Sequence, residues 1–178
     1  AGGDIVVVLN TGEDSISVVD ATTLRGKVVC GYQGWFNCEG DGAGLGWTHW
    51  ATRQGRDKLF RPGNVTVDMW PDVSEYGEDE LCTTGFTFED GSPAKVFSSH
   101  NRKTVVRHFK WMADYGIDGA FVQRFTSRID DETVRYHKDK VLSSARGRGA
   151  PRGGALCGAE PEGCARCPGR MTHRSTSR

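Results

Sequence analysis

Residues 27–50 read KVVCGYQGWFNCEGDGAGLGWTHW, and this stretch determines how the rest of the chain is interpreted. A short apolar run, Val28 to Cys30, leads into Tyr32, Gly34 and Trp35. A loop rich in glycine and acidic residues follows, and two more tryptophans close the stretch. A buried strand that ends in aromatic and glycine residues is typical of a ligand-binding rim on an α/β scaffold.

Two later segments repeat this pattern of an apolar run followed by polar or aromatic residues. They are VTVDMWPD at residues 65–72 and GAFVQRF at residues 119–125. The sequence predicts strands at 27–32, 65–69 and 120–122, a hairpin at 85–98, and helices at 101–115 and from about residue 130 onward. This order is a βα alternation, so we expect an α/β fold with a parallel sheet and helices outside it.

Parallel sheets place ligands at the carboxyl ends of their strands, so the candidate binding residues are those that follow the three predicted strands. The aromatic candidates either stack on a ligand or pack in the core. The charged and amide candidates either bind ligand hydroxyl groups or form internal ion pairs. The candidates are Tyr32, Trp35, Asp68, Trp70, Asp72, Gln123 and Arg124.

The chain divides into three parts by composition. Residues 1–22 are predicted to form a β-hairpin or a linker, and residues 23–145 carry the βα pattern. Residues 146–178 are low-complexity, with seven arginines, two glutamates and a net charge of +5, and we expect them to be disordered. This tail resembles a GC-rich stretch translated in the wrong frame. Because the first residue is alanine, we expect a processed, trimmed or partial chain.

Composition also excludes several functions. The formal net charge of zero gives no indication of nucleic-acid binding. No segment approaches the roughly 18 apolar residues that a membrane span needs. Cys38 and Cys82 lie in loop-like segments and are able to pair if the protein is secreted.

The remaining metal-ligating residues do not predict a metal site or a cofactor. The spacing C-x6-C-x2-C-x5-H, formed by Cys157, Cys164, Cys167 and His173, fits four zinc ligands. Its flanks lack the apolar residues that would build a zinc knuckle. The other histidines, which are His49, His100, His108 and His137, are too scattered in sequence to predict a metal set.

Three segments carry a family resemblance: GKVVCGYQGWF, VDMWPDVSEY and NRKTVVRHFKWMADYGIDGAFVQRF. Over roughly residues 20–145 the chain resembles the glycoside hydrolase family 71/99-like proteins, a group often labelled xylosidase/arabinosidase. That group is similar to endo-α-mannosidases and α-1,3-glucanases. The resemblance implies the first three units of a (β/α)8 barrel, an oligo- or polysaccharide partner, and an extracellular or periplasmic location.

The chain departs from this family in two ways. A complete barrel needs about 250 residues, and the family's catalytic carboxylates lie on later strands. Glu75 and Glu78 have the family's Glu-x-x-Glu spacing, but they follow the second predicted strand, so the catalytic residues stay unidentified. We therefore expect a glycoside hydrolase-like fragment that binds glycans and is inactive alone. The alternatives are a non-catalytic carbohydrate-binding module and a frame-disrupted product without function.

Overall fold

The structure is a computed structural model that describes residues 3–7, 19, 22–52, 59–126 and 128–146. Its regular elements, in chain order, are the strands β1 (Gly3–Val7), β2 (Val29–Tyr32), β3 (Leu81–Thr87), β4 (Pro93–Phe97) and β5 (Gly119–Gln123) and the helices α1 (Arg102–Asp114) and α2 (Glu132–Arg146). A single 3-10 turn, Glu78–Glu80, precedes β3. The described residues therefore form a mixed α/β structure.

The main sheet has three strands in the order β1-β5-β2. β2 and β5 are parallel, with Val29 opposite Gly119. Two hydrogen bonds fix their amino ends: Val28 N donates to Asp118 Oδ2 at 2.8 Å, and Asp118 N donates to Val28 O at 2.9 Å. β1 pairs antiparallel with the other edge of β5. The predicted strands at 27–32 and 120–122 are thus present and parallel to each other.

One face of this sheet is covered by α1 and α2. α1 begins at Arg102 because the Asn101 side chain accepts a hydrogen bond from Lys103 N at 2.9 Å. It ends before Gly116, whose φ of 76° suits the position after a helix. The first core lies between the sheet and the helices, and its buried members are Tyr32, Val105, Phe109, Ala120, Val122, Val141 and Leu142.

A second sheet consists of the hairpin β3–β4. The Asp90-Gly91 pair predicts this hairpin, and Gly91 has a φ of 82° while Asp90 accepts a hydrogen bond from Ser92 N. A second core packs against this hairpin and consists mainly of aromatic rings. Its fully buried members are Trp50, Ala51, Phe60 and Val96, and its partly buried ones are Phe36, Trp47, Val65, Val67, Trp70, Phe86 and Phe97.

The strand predicted at residues 65–69 does not form, and this prediction was wrong. This segment is irregular, and Thr66 N donates to Trp50 O of the preceding loop at 3.0 Å instead of to a strand. Val65 and Val67 pack against the second core, which explains the apolar alternation that mimicked a strand. Asp68 is exposed at a bend, so it does not lie on a strand of the sheet as the sequence predicted. The described residues contain two parallel strands where three were predicted.

Several predictions fall partly or wholly outside the described residues. Of the hairpin or linker predicted at residues 1–22, the structure describes β1, which pairs with β5, and most of the remainder lies outside. Of the tail predicted at residues 146–178, Arg146 is the last residue of α2, and the rest, with its four potential zinc-ligand residues, lies outside. Within the described ranges the sheets are small and do not close into a barrel. None of the helices described there is long and apolar enough to cross a membrane.

Candidate functional site

The carboxyl ends of β2 and β5 carry a cluster of aromatic and amide side chains, which we call the strand-end rim. Its members are Gln33, Trp35, His49, Gln123 and Phe125. Gln33 Nε2 donates to Gln123 Oε1 at 2.7 Å, and Trp35 Nε1 lies 3.3 Å from the Gln123 carbonyl oxygen. The Trp35 ring centroid lies 5.1 Å from those of both His49 and Phe125. The parallel pairing of β2 and β5 therefore joins residues that are about ninety positions apart.

Trp35 is half-buried, whereas Gln33, His49 and Phe125 are exposed, so the rim faces solvent. His49 has a φ of 65°, in the left-handed region that non-glycine residues rarely adopt. Such a conformation costs free energy and persists only where the surrounding structure imposes it. The rim is thus a fixed aromatic surface with amide groups at its edge.

Positive charge lies next to the rim on the α2 side. Arg124 forms an ion pair with Asp139, and Lys138 Nζ donates to the Phe125 carbonyl oxygen at 2.6 Å. Burial lowers the pKa of Lys138, and the charges of Arg124 and Arg128 lower it further. The sequence offered an ion pair as one role for Arg124, and the structure assigns it that contact.

A buried polar network supports the loop that carries Trp35. His137 Nε2 lies 3.1 Å from the Gly34 carbonyl oxygen, and His137 Nδ1 lies 3.1 Å from His100 Nδ1. Both imidazole rings are almost fully buried. Because the carbonyl oxygen only accepts, His137 Nε2 carries the proton, its Nδ1 accepts, and His100 Nδ1 donates. Burial lowers the pKa of His137 to about 4, and nearby His100 adds to the shift, so the ring is neutral near pH 7.

Asp41 binds the other end of this network. Its Oδ2 accepts hydrogen bonds from Asn37 Nδ2 at 3.0 Å and Ser98 Oγ at 2.6 Å, and its Oδ1 accepts one from Ala43 N at 2.7 Å. Burial alone would raise the pKa of Asp41, but these hydrogen bonds hold it below its ordinary value. The carboxylate is therefore ionised, and its oxygens are occupied by hydrogen bonds that hold the loop in place. The alternating glycines around it have positive φ values of 58–85°, which lets the loop turn tightly about the carboxylate.

A disulfide between Cys38 and Cys82 ties this loop to the start of β3, across a sequence separation of 44. The sequence left this pairing open, and the structure forms it. The bond therefore connects the loop that follows Trp35, which we call the rim loop, with the second sheet. Among the described residues Cys30 is a free thiol, and it is half-buried against the first core.

Tyr32, a candidate for sugar contact, belongs to the first core. Only 9% of its surface is exposed, and its ring packs edge-on against Phe109. Its hydroxyl group lies 2.9 Å from His108 Nδ1, and the Tyr76 hydroxyl group lies 2.6 Å from His108 Nε2. Burial lowers the pKa of His108 to about 4, so the ring is neutral and bridges the two hydroxyl groups. The hydroxyl group of Tyr32 is thus used inside the protein.

The three candidates from residues 65–72 do not lie at the end of a sheet strand. Asp68 is exposed. Trp70 stacks on Phe60 with centroids 5.7 Å apart and donates from Nε1 to the Lys95 carbonyl oxygen at 3.0 Å. Asp72 caps a turn through a 2.9 Å hydrogen bond from Ser74 N. The structure thus joins Trp35 and Gln123, places Arg124 in an ion pair with Asp139, and assigns Trp70 to the second core. Sugar contacts of the candidate residues stay predictions.

Sequence reasoning missed the polar network behind the rim. The histidines at positions 49, 100, 108 and 137 are scattered in the sequence. In the structure, α2 and the loop before α1 nevertheless bring His100 and His137 into contact. Asn37 and Ser98 carried no motif. The one available signal was that α2 has a thin apolar face, and His137 occupies a buried position on it. In the described ranges no group of His, Cys, Asp and Glu residues is arranged to hold a metal ion.

Comparison with family models, with curated proteins and with solved structures gave no match to this chain. The glycoside hydrolase resemblance therefore depends on its sequence motifs alone and stays a prediction.

Proposed function

We propose that this chain is part of a glycoside hydrolase-like protein and binds an oligo- or polysaccharide at the strand-end rim. The observation that supports this most is the half-buried ring of Trp35, held between His49 and Phe125 beside the Gln33–Gln123 amide pair. A sugar ring presents a face of C–H groups, which packs on an aromatic plane, and hydroxyl groups at its edge, which pair with amides. Sites of this kind combine an apolar wall with a few convergent polar groups.

We further propose that β2, α1, β5 and α2 correspond to neighbouring units of a (β/α)8 barrel. Both helices lie on one face of the sheet, as they do outside a barrel. The opposite face carries Gly31, which is exposed, and Phe121, which is 37% exposed. In a barrel this face would point to the interior, and the rim would lie at the catalytic end. The Cys38–Cys82 disulfide supports the predicted extracellular or periplasmic location, because disulfides persist in oxidising compartments.

The carboxyl groups favour binding over cleavage. A glycosidase normally uses two carboxyl groups, one of them an acid whose pKa is raised. Each described carboxyl group with a shifted pKa has a lowered one; these are Asp41, Asp72, Asp79, Glu80, Asp90 and Asp131. Next to the rim, Asp139 is paired with Arg124. A lowered pKa keeps a carboxyl group ionised, so these six groups are not suited to donate a proton to a glycosidic oxygen.

A glycan array probed with the 178-residue chain tests the proposal, together with a turnover assay on α-mannan, α-1,3-glucan and aryl glycosides. We expect binding to at least one glycan class and no turnover. Trp35→Ala should remove the binding, whereas Phe88→Ala, which truncates an exposed aromatic ring outside the rim, should retain it. Absence of glycan binding would overturn the proposed function, and robust turnover would overturn the assignment of binding without cleavage.

A further inference from the structure

A cavity lies at the end of the sheet opposite the strand-end rim. Its volume is about 260 Å3, and it is lined by Asp72, Ser74, Glu75, Trp111 and Tyr115. Trp111 is in the last turn of α1 and Tyr115 directly follows that helix, four residues before β5. Because Asp118 is hydrogen-bonded to Val28, this end of α1 lies at the amino ends of β2 and β5. The cavity is therefore distinct from the strand-end rim.

The aromatic wall of this cavity is held rigidly. Trp111 Nε1 donates to Glu75 Oε2 at 2.9 Å. The Tyr76 ring packs edge-on against the Trp111 ring with centroids 5.4 Å apart. The His108 ring stacks on the Trp111 ring with centroids 5.7 Å apart. Tyr115 is 84% exposed, which makes it an open second wall. A preorganised aromatic wall lowers the free-energy cost of binding a ligand.

The cavity carries negative charge. Hydrogen bonds from Ser74 lower the pKa of Asp72, which keeps this carboxyl group ionised. Among the described residues, neither Asp72 nor Glu75 forms an ion pair with a lysine or arginine. Arg107 is close enough to interact with Glu75, but its guanidinium group is bound by Glu80 through two hydrogen bonds.

We infer that this cavity binds an organic cation, an alkylated ammonium or guanidinium group with an apolar flank. Aromatic faces attract such cations through the negative charge of the ring face, and carboxylates add a direct Coulomb attraction. A neutral sugar could donate hydrogen bonds to the two carboxylates but would gain no Coulomb attraction from them, whereas a cation gains both the Coulomb attraction and the contact with the aromatic face. The indole N–H of Trp111 is not free for a sugar hydroxyl group, because it already donates to Glu75. The inference does not depend on the proposed glycan function, since it concerns different residues.

Choline and its neutral isostere 3,3-dimethylbutan-1-ol separate charge from shape. Each is titrated into the 15N-labelled 178-residue chain at constant ionic strength, and the five indole N–H signals are followed, with Trp111→Phe identifying the signal of interest. We expect choline to shift the Trp111 signal saturably and the isostere to shift it little. An unchanged Trp111 signal, or equal shifts from both ligands, would overturn the inference.

Two substitutions test the charges without removing the hydrogen bonds that shape the cavity. Asp72→Asn keeps an acceptor for Ser74, and Glu75→Gln keeps an acceptor for Trp111. Each should weaken choline binding about three- to fivefold, as expected for loss of one exposed charge pair, while Asp90→Asn, at an exposed turn of the β3–β4 hairpin, should leave it unchanged. Unaltered affinity in both cavity variants would contradict the assignment, and thermal melts of all the variants verify that they fold.

Discussion

The two cores of this protein are built from different side chains and are joined in different ways. The first core is largely aliphatic and lies between β2, β5 and the two helices. The second core is aromatic and packs irregular loop segments against the β3–β4 hairpin. The first core uses regular secondary structure to satisfy its backbone, whereas the second depends on side-chain contacts to order loops. Tyr32 belongs to the first core and Phe36 packs against the second, so the chain on either side of Trp35 is held by a different core.

The largest effect should come from breaking the aromatic core. Trp50 is 2% exposed, packs against Phe36 at 4.4 Å between centroids, and donates to the Phe97 carbonyl oxygen at 3.1 Å. Trp50→Ala should lower the free energy of unfolding by about 3–5 kcal/mol, measured by urea denaturation. The exposed control Phe88→Ala should cost under about 1 kcal/mol. Equal costs would show that this core is not well packed.

Reducing the Cys38–Cys82 disulfide should have the next largest effect, because this bond joins the rim loop to the second sheet. The chain-entropy model gives about 4 kcal/mol for a closed loop of this length. The double variant Cys38→Ser/Cys82→Ser should show the same loss without reductant. A melting temperature that is insensitive to reduction would contradict the structural role of this bond.

Acidification should destabilise the first core and the rim support together. The folded-state pKa values of His108 and His137 are about 4, below the unfolded value of about 6.5. The unfolded chain therefore takes up protons at a higher pH than the folded chain, and stability falls as the pH drops from about 6.5 towards 4. Between about pH 7 and pH 5 we expect a loss of roughly 2 kcal/mol per histidine.

Urea denaturation at a series of pH values measures this loss. His137→Gln should reduce the slope of stability against pH in that window, because one of the two depressed groups is removed. Phe88→Ala, which truncates an exposed ring and removes no titratable group, serves as the control and should leave the slope unaltered. Stability that stays constant between about pH 7 and pH 5 would argue against the buried, neutral state of both rings.

The ion pair between α1 and the 3-10 turn should contribute less. Arg107 donates to both carboxylate oxygens of Glu80, at 3.1 and 2.5 Å, and the Glu80 side chain is 1% exposed. Burial alone would raise the pKa of Glu80, but the hydrogen bonds from Arg107 hold it low. Arg107→Ala should cost about 2 kcal/mol, because Arg107 itself is partly exposed. The exposed Lys103–Asp79 pair is the control, and Lys103→Ala should cost under about 0.5 kcal/mol.

The same contrast explains which parts of the fold the sequence predicts. α1 has a clear apolar period, a capping Asn101 and a terminal Gly116, and the hairpin has Asp90-Gly91, so local chemistry is sufficient for both. The segment at 65–69 alternates as a strand does, but its valines serve the aromatic core. Alternation reports burial of one side and does not identify the backbone partner. The error therefore arose where loop packing replaced regular structure.

The candidate site divides in the same manner. Trp35 and Gln123 follow true strands, so the rule that ligands lie at strand carboxyl ends brought them together. Trp70 and Asp72 were assigned to the same edge on the basis of a strand that does not form. The His100–His137 contact depends on tertiary packing between residues 37 positions apart, and a single sequence carries no local signal for it.

The central proposal is that a glycan stacks on Trp35, and the indole signals of the 15N-labelled chain test it most directly. Trp35 donates to the Gln123 carbonyl oxygen at the rim, whereas Trp50 and Trp70 donate to carbonyl oxygens of β4 in the second core. Titration with a glycan identified on the array should shift the Trp35 signal saturably and leave those of Trp50 and Trp70 in place. A titration that leaves the Trp35 signal unchanged, or that shifts Trp70 instead, would contradict the account.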